Sequence, residues 1–449
     1  MKTSFKHFLF LSLLLLFAIV GTAQNSFYFN KNIKKQFVPF KLLSNLIVFP
    51  IDVNGKKLNF ILDSGVGNTI LFNLSAHDSI RLKNIEKIKL RGLGSEPAVD
   101  AILSQGNEFR INGIVSNNQR VYVVDNDSFD LSSKLGLTVN GIIGYELLKD
   151  FEVKINYGSK KLIFYKSGEF KYQKCRNCES FNLEFNQYKP YINIGARLDN
   201  SIKITPIKLL IDSGGSDAMW LFTDSHPDIK APIKFFNDFL GEGLSGSIYG
   251  KRSKINSLVL GKFVIKNPTV SYPDSVSVAY ALNFTERNGS LGGAVLKRFV
   301  VIFDYKNSKI TLKKGSHFKE PFRYNMSGIE LVHNGKVLVQ EYDKNNTGFI
   351  LGGNSNSNSD NKIVLAYNYK YTFKPSYKIF KLREDSPAYI AGLKQGDIVI
   401  KINGKYTFNM ELEEIVEKFY QKESTKITMV IERNNKNFEY QFYLKDILK

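Results

Sequence analysis

Cysteine is almost absent from this chain of 449 residues, which contains only Cys175 and Cys178. Two cysteines exclude a disulfide-rich scaffold. A structural zinc site normally takes four ligands, and the segment "KCRNC" offers two with no histidine nearby. A redox motif would need a strand-to-helix context, which the surrounding sequence lacks. Two alternatives remain for the pair, a short-loop disulfide, which is favoured in an exported protein, or two free thiols.

Sequence motifs for metals, nucleotides and flavins are also missing. The segment "GVGNTI" at 65–70 resembles a phosphate loop only in composition, because it lacks the Lys-Ser/Thr ending. We therefore expect no cofactor and no metal. The formal net charge is +20, but lysine and arginine are spread along the chain and no nucleic-acid reader module is visible. The basic residues predict a solvated surface with loose attraction to anionic polymers, and no nucleic-acid partner.

Long apolar runs are confined to the first residues. Lys2 and Lys6 precede the apolar run at 8–20, and small residues follow at 21–23. This pattern is typical of a secretory signal peptide, which we place at residues 1–23. No later run reaches the length of a membrane-spanning helix. The sequence predicts an exported protein, periplasmic or secreted, with no membrane span after the signal peptide is removed.

An internal repeat organises the next three hundred residues. Three pairs of matching segments keep the same spacing, with one net deletion. The spacing is 149 residues for "DSG" at Asp63 and Asp212, 149 for the glycine pairs Gly92/Gly94 and Gly241/Gly243, and 148 for the segments that begin at Gly141 and Gly289. We infer two copies of one unit, at about 35–166 and 180–314.

Both copies are rich in short runs of β-branched and aromatic residues, which favour strands. We expect a hairpin with its turn at Asn54-Gly55, a second hairpin that turns near Gly158, and a short helix after Gly144 and after Gly292. The predicted fold class is mainly β, with two lobes related by a pseudo-two-fold axis and a C-terminal α+β domain. The predicted boundaries are 24–166 for the first lobe, 167–179 for a connector that holds the cysteine pair, 180–320 for the second lobe and 321–449 for the last domain.

The two Asp-Ser-Gly turns carry the chemistry. Each aspartate directly follows a strand of large apolar residues, where an unpaired charge is costly. A two-fold axis between the copies would bring the turns together, and two carboxylates in contact share one proton and titrate as a unit. One can then take a proton from water while the other protonates a substrate carbonyl. The glycines allow close approach of the backbone, and each serine hydroxyl can brace the partner turn.

These residues resemble the aspartic proteases of the pepsin and retropepsin type. Asp63-Ser64-Gly65 and Asp212-Ser213-Gly214 match the Asp-Thr/Ser-Gly signature of that family. "GIIG" and "GSLG" are similar to its apolar-apolar-Gly element, with Gly144 and Gly292 as the glycines and Ser290 as a departure from the apolar pattern. The resemblance implies that Asp63 and Asp212 are catalytic, and that Gly92, Gly94, Gly241 and Gly243 lie at flap hairpins.

One asymmetry between the copies affects the expected roles of the aspartates. The fourth residue after the aspartate is Gly67 in the first copy and Ser216 in the second. We expect the Ser216 hydroxyl to stabilise the Asp212 carboxylate. Asp212 is then the charged partner, and Asp63 holds the shared proton.

The C-terminal segment resembles a PDZ domain through "DSPAYIAGLKQGDIVIKINGK" at 385–405. A helix in "MELEEIVEKFYQK" and two strands in "TKITMVIER" and "FEYQFYLK" are expected after it. PDZ domains bind C-terminal peptide tails at a sheet edge. The resemblance implies a groove strand at "SGIEL", with Gly328, Ile329, Glu330 and Leu331 as the candidate peptide-binding residues. A low-complexity insertion, "GGNSNSNSDN" at 352–361, interrupts the module. A lid or packing module without a free ligand is the alternative.

Three functional classes follow from these patterns. The leading interpretation is a periplasmic or secreted aspartic endopeptidase that acts on polypeptides. The runner-up is a catalytically silent, protease-derived protein that binds peptides through the cleft and the PDZ groove. The third is a structural cell-surface module in which the Asp-Ser-Gly segments are ordinary turns.

Overall fold

The computed structural model describes residues 25–74, 80–124, 131–172, 174–199, 202–352 and 362–449. The chain is mainly β, as predicted, and its described helices are all short. It divides into two compact units, one with Met1–Leu131, Thr138–Phe322 and Leu448, the other with Ser132–Leu137, Arg323–Ile447 and Lys449. Apart from Ser132–Leu137, both copies of the repeat therefore lie in the first unit. None of the helices in the described ranges is long and apolar enough to cross a membrane. The predicted signal peptide lies outside the described residues.

The first copy consists of twelve strands and two short helices among the described residues. Their bounds are β1 Tyr28–Phe29, β2 Lys35–Pro39, β3 Lys41–Leu43, β4 Leu46–Val53, β5 Lys56–Leu62, β6 Thr69–Leu71, β7 Ile85–Leu90, β8 Val99–Ile111, β9 Ile114–Val124, α1 Leu131–Leu135, β10 Gly141–Ile143, α2 Tyr145–Leu148, β11 Phe151–Asn156 and β12 Lys161–Lys166. The hairpins at Asn54-Gly55 and near Gly158 and the short helix after Gly144 are confirmed.

The second copy repeats this pattern. Its elements are β13 Cys178–Asn182, β14 Glu184–Asn186, β15 Lys189–Arg197, β16 Thr205–Ile211, β17 Met219–Leu221, β18 Phe236–Gly243, β19 Gly246–Lys254, β20 Ser257–Leu260, β21 Phe263–Lys266, β22 Thr269–Pro273, α3 Ala279–Leu282, β23 Gly289–Leu291, α4 Gly293–Leu296, β24 Phe299–Asp304 and β25 Lys309–Lys314. The short helix expected after Gly292 is therefore confirmed.

Each copy forms a sheet with the same central strand order. In the first copy the order is β9-β6-β10-β5-β4-β8, and in the second it is β22-β17-β23-β16-β15-β20. Two parallel pairs occur at equivalent places in each, β5 with β10 and β6 with β9 in the first, β16 with β23 and β17 with β22 in the second. The strands that precede the aspartates, β5 and β16, are thus held between neighbours on both sides.

A third sheet joins the two copies. Its order is β13-β25-β24-β11-β12-β2, so it combines strands of both copies. At the centre of the β11–β24 pair, Lys154 lies opposite Ile302, 148 residues further along the chain. A residue that pairs with its own repeat equivalent is what two-fold-related copies would give, and the two-fold relation itself stays a prediction. Buried side chains of both copies, such as Phe60 and Phe299, belong to one continuous apolar core.

The second unit contains a separate sheet with the order β26-β27-β28-β30-β31 and β29 paired to β28. Its elements are β26 Ile329–Gly352, β27 Lys362–Leu382, α5 Pro387–Ile390, β28 Ile398–Ile402, β29 Lys405–Tyr406, α6 Leu412–Val416, β30 Lys426–Arg433 and β31 Lys436–Tyr443. The helix and the two final strands expected from the sequence are confirmed. The flanks of the predicted low-complexity insertion form the long β26–β27 hairpin, and residues 353–361 lie outside the described residues.

Candidate active site

Each Asp-Ser-Gly turn begins where a buried strand ends. Strand β5 ends at Leu62 and β16 ends at Ile211, and both residues are completely buried. The backbone then turns away, but the aspartate N–H groups still bond to the neighbouring strand. Asp63 N donates to Ile143 O at 2.9 Å, and Asp212 N donates to Leu291 O at 3.0 Å. These bonds fix both carboxyl groups at the ends of rigid strands.

The two serines cross-link the turns. The Ser64 hydroxyl donates to Ile211 O at 2.7 Å, and the Ser213 hydroxyl donates to Leu62 O at 2.8 Å. Each hydroxyl oxygen also accepts from the other serine's N–H, at 2.9 and 3.0 Å. Both serines are buried, so these four bonds have little competition from water. The predicted bracing of each turn by the partner serine is confirmed.

The cross-link brings the two aspartates together, and their carboxyl groups hydrogen bond to each other. Glycine makes this approach possible. A Cβ on Gly214 would lie 2.2 Å from the Asp63 carboxyl carbon, and a Cβ on Gly65 would lie 3.2 Å from that of Asp212. Any side chain at Gly214 would displace the Asp63 carboxyl group, so the Asp-Ser-Gly spacing is a steric requirement of the pair.

The environment of the pair raises the pKa of both carboxyl groups. Burial is the main cause for Asp63, and repulsion by Asp212 adds to it, while the Gly65 N–H bond at 2.7 Å acts in the opposite direction. Burial also raises the pKa of Asp212, but Arg287 and the N–H groups of two glycines oppose the rise. The groups that stabilise a negative charge are therefore concentrated at Asp212.

This distribution favours Asp63 as the holder of the shared proton, as expected from the sequence but through different residues, and the assignment stays a prediction. The Ser216 side chain is exposed, and within the described ranges its hydroxyl makes no hydrogen bond to Asp212. The Ser216 carbonyl instead accepts from Asn45 Nδ2 at 2.9 Å. The expected role of the Ser216 hydroxyl is therefore wrong, because the residue lies beyond the turn and its side chain points to solvent. The N–H groups of Gly214 and Gly215 bond to Asp212 instead.

Gly144 and Gly292 lie directly beside the two turns. A Cβ on Gly144 would be 1.9 Å from Asp63 O, and a Cβ on Gly292 would be 2.3 Å from Asp217 O. In addition, Gly292 N donates to Ala218 O at 2.9 Å. The structure therefore gives a steric reason for both glycines of the apolar-apolar-Gly element.

The glycine hairpins contact each other at their tips. Gly92 and Gly94 lie in the 91–98 connection of β7 and β8, and Gly243 ends β18 at the tip of the second hairpin. Ser245 is the central contact, because its N–H donates to Leu93 O at 2.9 Å and its carbonyl accepts from Glu96 N at 2.9 Å. Gly241 lies at a bulge of the β18–β19 pair, not at the tip. The role of these hairpins as flaps stays a prediction.

Lys189 was not among the site residues predicted from the sequence. In the β15–β16 pair Tyr191 lies opposite Leu210, and this register, extended by two residues, places Lys189 opposite Asp212. In the first copy the same extension of the β4–β5 register places Leu46 opposite Asp63. Lys189 is half-buried, and its charge acts on the pKa of Asp63.

Arg287 was not predicted from the sequence either, although Ser290 was recognised as a departure from the apolar pattern. Arg287 is buried, and its Nη2 donates to the Ser290 hydroxyl at 2.6 Å. Its Nε donates to Gly289 O at 3.1 Å. The first copy has Val139 and Ile142 at the positions 148 residues earlier. Ser290 therefore departs from the apolar pattern because it supplies an acceptor for a buried arginine.

A buried ionic cluster supports the second turn. Arg252 donates to Asp217 at 2.9 Å and to Asp238 at 2.8 Å. Asp217 also accepts from Trp220 and Ser271, at 2.8 and 2.7 Å. Burial favours a raised pKa for Asp217, but Arg252 and these donors hold it below its ordinary value. The cluster connects the second turn with both strands of the β18–β19 hairpin. The equivalent of Asp217 in the first copy is Asn68.

The candidate peptide-binding residues of the second unit lie at a sheet edge. Strand β26 is the outermost strand, and the buried side chains of Ile329 and Leu331 alternate with the partly exposed Glu330. Gly328 has a φ of 83°, and a Cβ there would be 2.2 Å from Ser386 Cβ. Gly328 is thus required by both the backbone conformation and the contact.

Cys175 and Cys178 form a disulfide, so the first of the two alternatives is correct. Among the described residues, no group of three or more histidine, cysteine, aspartate or glutamate side chains is arranged to hold a metal ion.

Comparison with protein families identifies two domains. Residues 49–147 match the family model described as aspartyl protease, and residues 381–433 match the model described as PDZ domain. The first match includes Asp63, Gly92, Gly94 and Gly144. The second includes the segment that suggested a PDZ domain and begins after the expected groove strand. A comparison with curated proteins found no match. The expected pair of an aspartyl protease domain and a C-terminal PDZ domain is confirmed.

Proposed function

We propose that this chain is an exported aspartic endopeptidase that hydrolyses peptide bonds with a water molecule activated by Asp63 and Asp212. The aspartyl protease domain supports a peptidase in general terms. The observation that carries the finer proposal is the hydrogen-bonded pair of carboxyl groups, held by the reciprocal bonds of Ser64 and Ser213.

The asymmetry of the pair gives each carboxyl group a role. Arg287 and backbone N–H groups favour the ionised form of Asp212, which acts as the general base and takes a proton from water. The resulting hydroxide attacks the scissile carbonyl carbon. Asp63 holds the shared proton and donates it to the carbonyl oxygen. In the breakdown of the tetrahedral intermediate, Asp212 passes the proton that it took from water to the leaving nitrogen, Asp63 takes a proton back from a hydroxyl of the intermediate, and the C–N bond breaks. Because the two carboxyl groups do opposite work, neither can replace the other.

Export is proposed from the pattern of residues 1–23. The mature chain then begins near Gln24, and its polypeptide substrates would be met in a periplasm or outside the cell.

The decisive experiment is incubation of the purified mature chain with a mixture of denatured proteins over a pH series, followed by mapping of the cleavage sites. We expect internal cuts that define an endopeptidase. Binding of unfolded chains without cleavage at any pH would contradict the proposal and favour the catalytically silent alternative.

A second activity is supported by the position of β26. An edge strand can accept an added strand from a peptide, which is how PDZ domains bind C-terminal tails. Capture of an unfolded chain by this unit would raise its effective concentration for cleavage. Fluorescence anisotropy of the full chain with a labelled peptide should show binding that is lost when the peptide carboxylate is amidated. Equal binding of both peptides would argue against a PDZ-type groove.

A further inference from the structure

The positive charge beside the carboxyl pair exceeds the negative charge that the pair carries. The singly protonated pair carries one negative charge. Two cations act on it, Arg287 and Lys189. Asp217, which follows the second turn, is already bound to Arg252. Two cationic side chains therefore face one negative charge in a place where burial makes an unbalanced charge costly, and burial lowers the pKa of both Lys189 and Arg287.

Arg287 is fully engaged by the protein. Besides Gly289 and Ser290, it bonds to the Tyr191 side chain, and its guanidinium lies 5.1 Å from the centre of the Phe222 ring. Because Arg287 is buried and has these partners, it has little remaining capacity to bind a substrate.

Lys189 has no such partners. Among the described residues its ammonium group makes no hydrogen bond and no ion pair, and its nearest aromatic contact is the ring of Tyr280 at 5.9 Å. Tyr280 is 40% exposed, and Lys189 itself is half-buried. The ammonium group thus acts on the carboxyl pair and lies 5.9 Å from the ring centre of a side chain at the surface.

The hairpin that carries Lys189 is fixed in place. Gln187 and Tyr188 form a two-residue turn with φ of 49° and 65°, and this turn packs against the first catalytic turn. A Cβ on Gly67 would lie 3.0 Å from Gln187 O and 3.3 Å from Tyr188 Cβ. Lys189 is the first residue after the turn, so its backbone position relative to both aspartates is determined by two contacts.

We propose that Lys189 is a specificity-determining residue that binds an acidic side chain of the substrate, aspartate or glutamate, next to the scissile bond on the side of the second copy. This inference rests on the proposed peptidase function and names its substrate class. A substrate carboxylate would balance the excess charge and supply the ammonium group with a hydrogen-bond acceptor. The net charge of +20 also favours the approach of acidic polypeptides. The first copy offers no equivalent, because Leu46 occupies the matching position.

The test uses pairs of short peptides that contain a mapped cleavage site. The two peptides of a pair are identical except at one position near the scissile bond, where one has glutamate and the other has glutamine. At one such position the wild-type chain should cleave the glutamate peptide with a kcat/KM about 10-fold to 100-fold higher than that of the matching glutamine peptide. This is the range expected for a hydrogen bond to a charged group. Lys189→Met should bring this ratio close to one, Lys189→Arg should retain it, and Lys189→Glu should reverse the preference towards lysine. Leu46→Met is the matched control and should leave the ratio unchanged.

The ratio of kcat/KM for the glutamate and glutamine peptides distinguishes a role of Lys189 in substrate specificity from a general electrostatic effect of Lys189 on the carboxyl pair. If Lys189 only balances the charge of the aspartates, Lys189→Met will slow cleavage of both peptides equally and shift the pH profile, and the inference is overturned. Cleavage by the wild type without any preference for glutamate also overturns it, while the proposed function stands. Failure to cleave any peptide would instead contradict the proposed function, and the inference would fall with it.

Discussion

The two Asp-Ser-Gly turns have the same backbone arrangement and different surroundings. Each follows a buried strand, donates an aspartate N–H to the neighbouring strand and is braced by the partner's serine. Around Asp63 the matching positions are apolar, with Leu46, Val139 and Ile142. Around Asp212 they are Lys189, Arg287 and Ser290. The repeat thus preserves the geometry that brings two carboxyl groups together, while divergence of the neighbours makes the two groups electrostatically unequal.

The largest expected effect is the loss of activity when either aspartate is replaced. Asp63→Asn and Asp212→Asn should each reduce kcat by several orders of magnitude, because neither carboxyl group can perform both proton transfers. Cleavage of a denatured protein by each purified variant is the measurement, with circular dichroism to confirm the fold. Near-normal turnover by either variant would show that the two turns do not act as a pair.

The second effect tests the ionic cluster of the second copy. Asp217→Ala leaves Arg252 buried with one of its two carboxylate partners missing, which should cost about 3–5 kcal/mol of unfolding free energy. Asn68→Ala, the matched change in the first copy, should cost much less because Asn68 has no ionic partner among the described residues. Urea unfolding of both variants at neutral pH provides the comparison. Equal losses would mean that the cluster contributes no more than ordinary polar packing.

A smaller effect concerns stability as a function of pH. The pKa of Asp63 is raised in the folded state, so above about pH 4 the folded chain binds more protons than the unfolded chain. Its stability therefore falls as the pH rises. Asp63→Asn removes this penalty and should stabilise the chain at pH 7 by up to about 4 kcal/mol, with no gain near pH 3. Thermal melting at both pH values measures the difference.

Asp212→Asn is the matched comparison for this pH effect. The gain in stability of Asp212→Asn at pH 7 should be smaller than that of Asp63→Asn, because Arg287 and the backbone N–H groups already favour the charged form of Asp212. A larger gain for Asp212→Asn would reverse the assignment of the shared proton.

The smallest effect comes from exchanging the residues of the apolar-apolar-Gly element. Ser290→Ile restores the apolar pattern but leaves a buried Arg287 donor without its acceptor, which should cost about 1–3 kcal/mol. The opposite change, Ile142→Ser, places a hydroxyl where the first copy has no arginine. It should lose stability through reduced packing only. If Ser290→Ile is neutral in melting experiments, the pairing with Arg287 does not explain the departure.

Much of the architecture could be predicted from the sequence because local patterns dictate it. The spacing of "DSG", the glycine pairs and the apolar-apolar-Gly elements identified the repeat. The Asn54-Gly55 turn and the alternating strands identified hairpins that the structure contains. The aspartates, the bracing serines and the crowded glycines were predicted because each satisfies a local requirement of a tight turn at a strand end. The PDZ segment was found because its sequence resembles that family.

The residues that make the two carboxyl groups electrostatically unequal could not be predicted, because their positions depend on the register between strands that are distant in sequence. Lys189 reaches Asp212 only through the pairing of β15 with β16, and Arg287 acts there only because β23 runs beside β16. The role expected for Ser216 failed because sequence proximity does not fix the direction of a side chain. The sequence by itself determined the two copies, the turn chemistry and the candidate carboxyl pair. Only the tertiary structure decided which cations surround that pair, since long-range strand pairing and burial set the electrostatic environment.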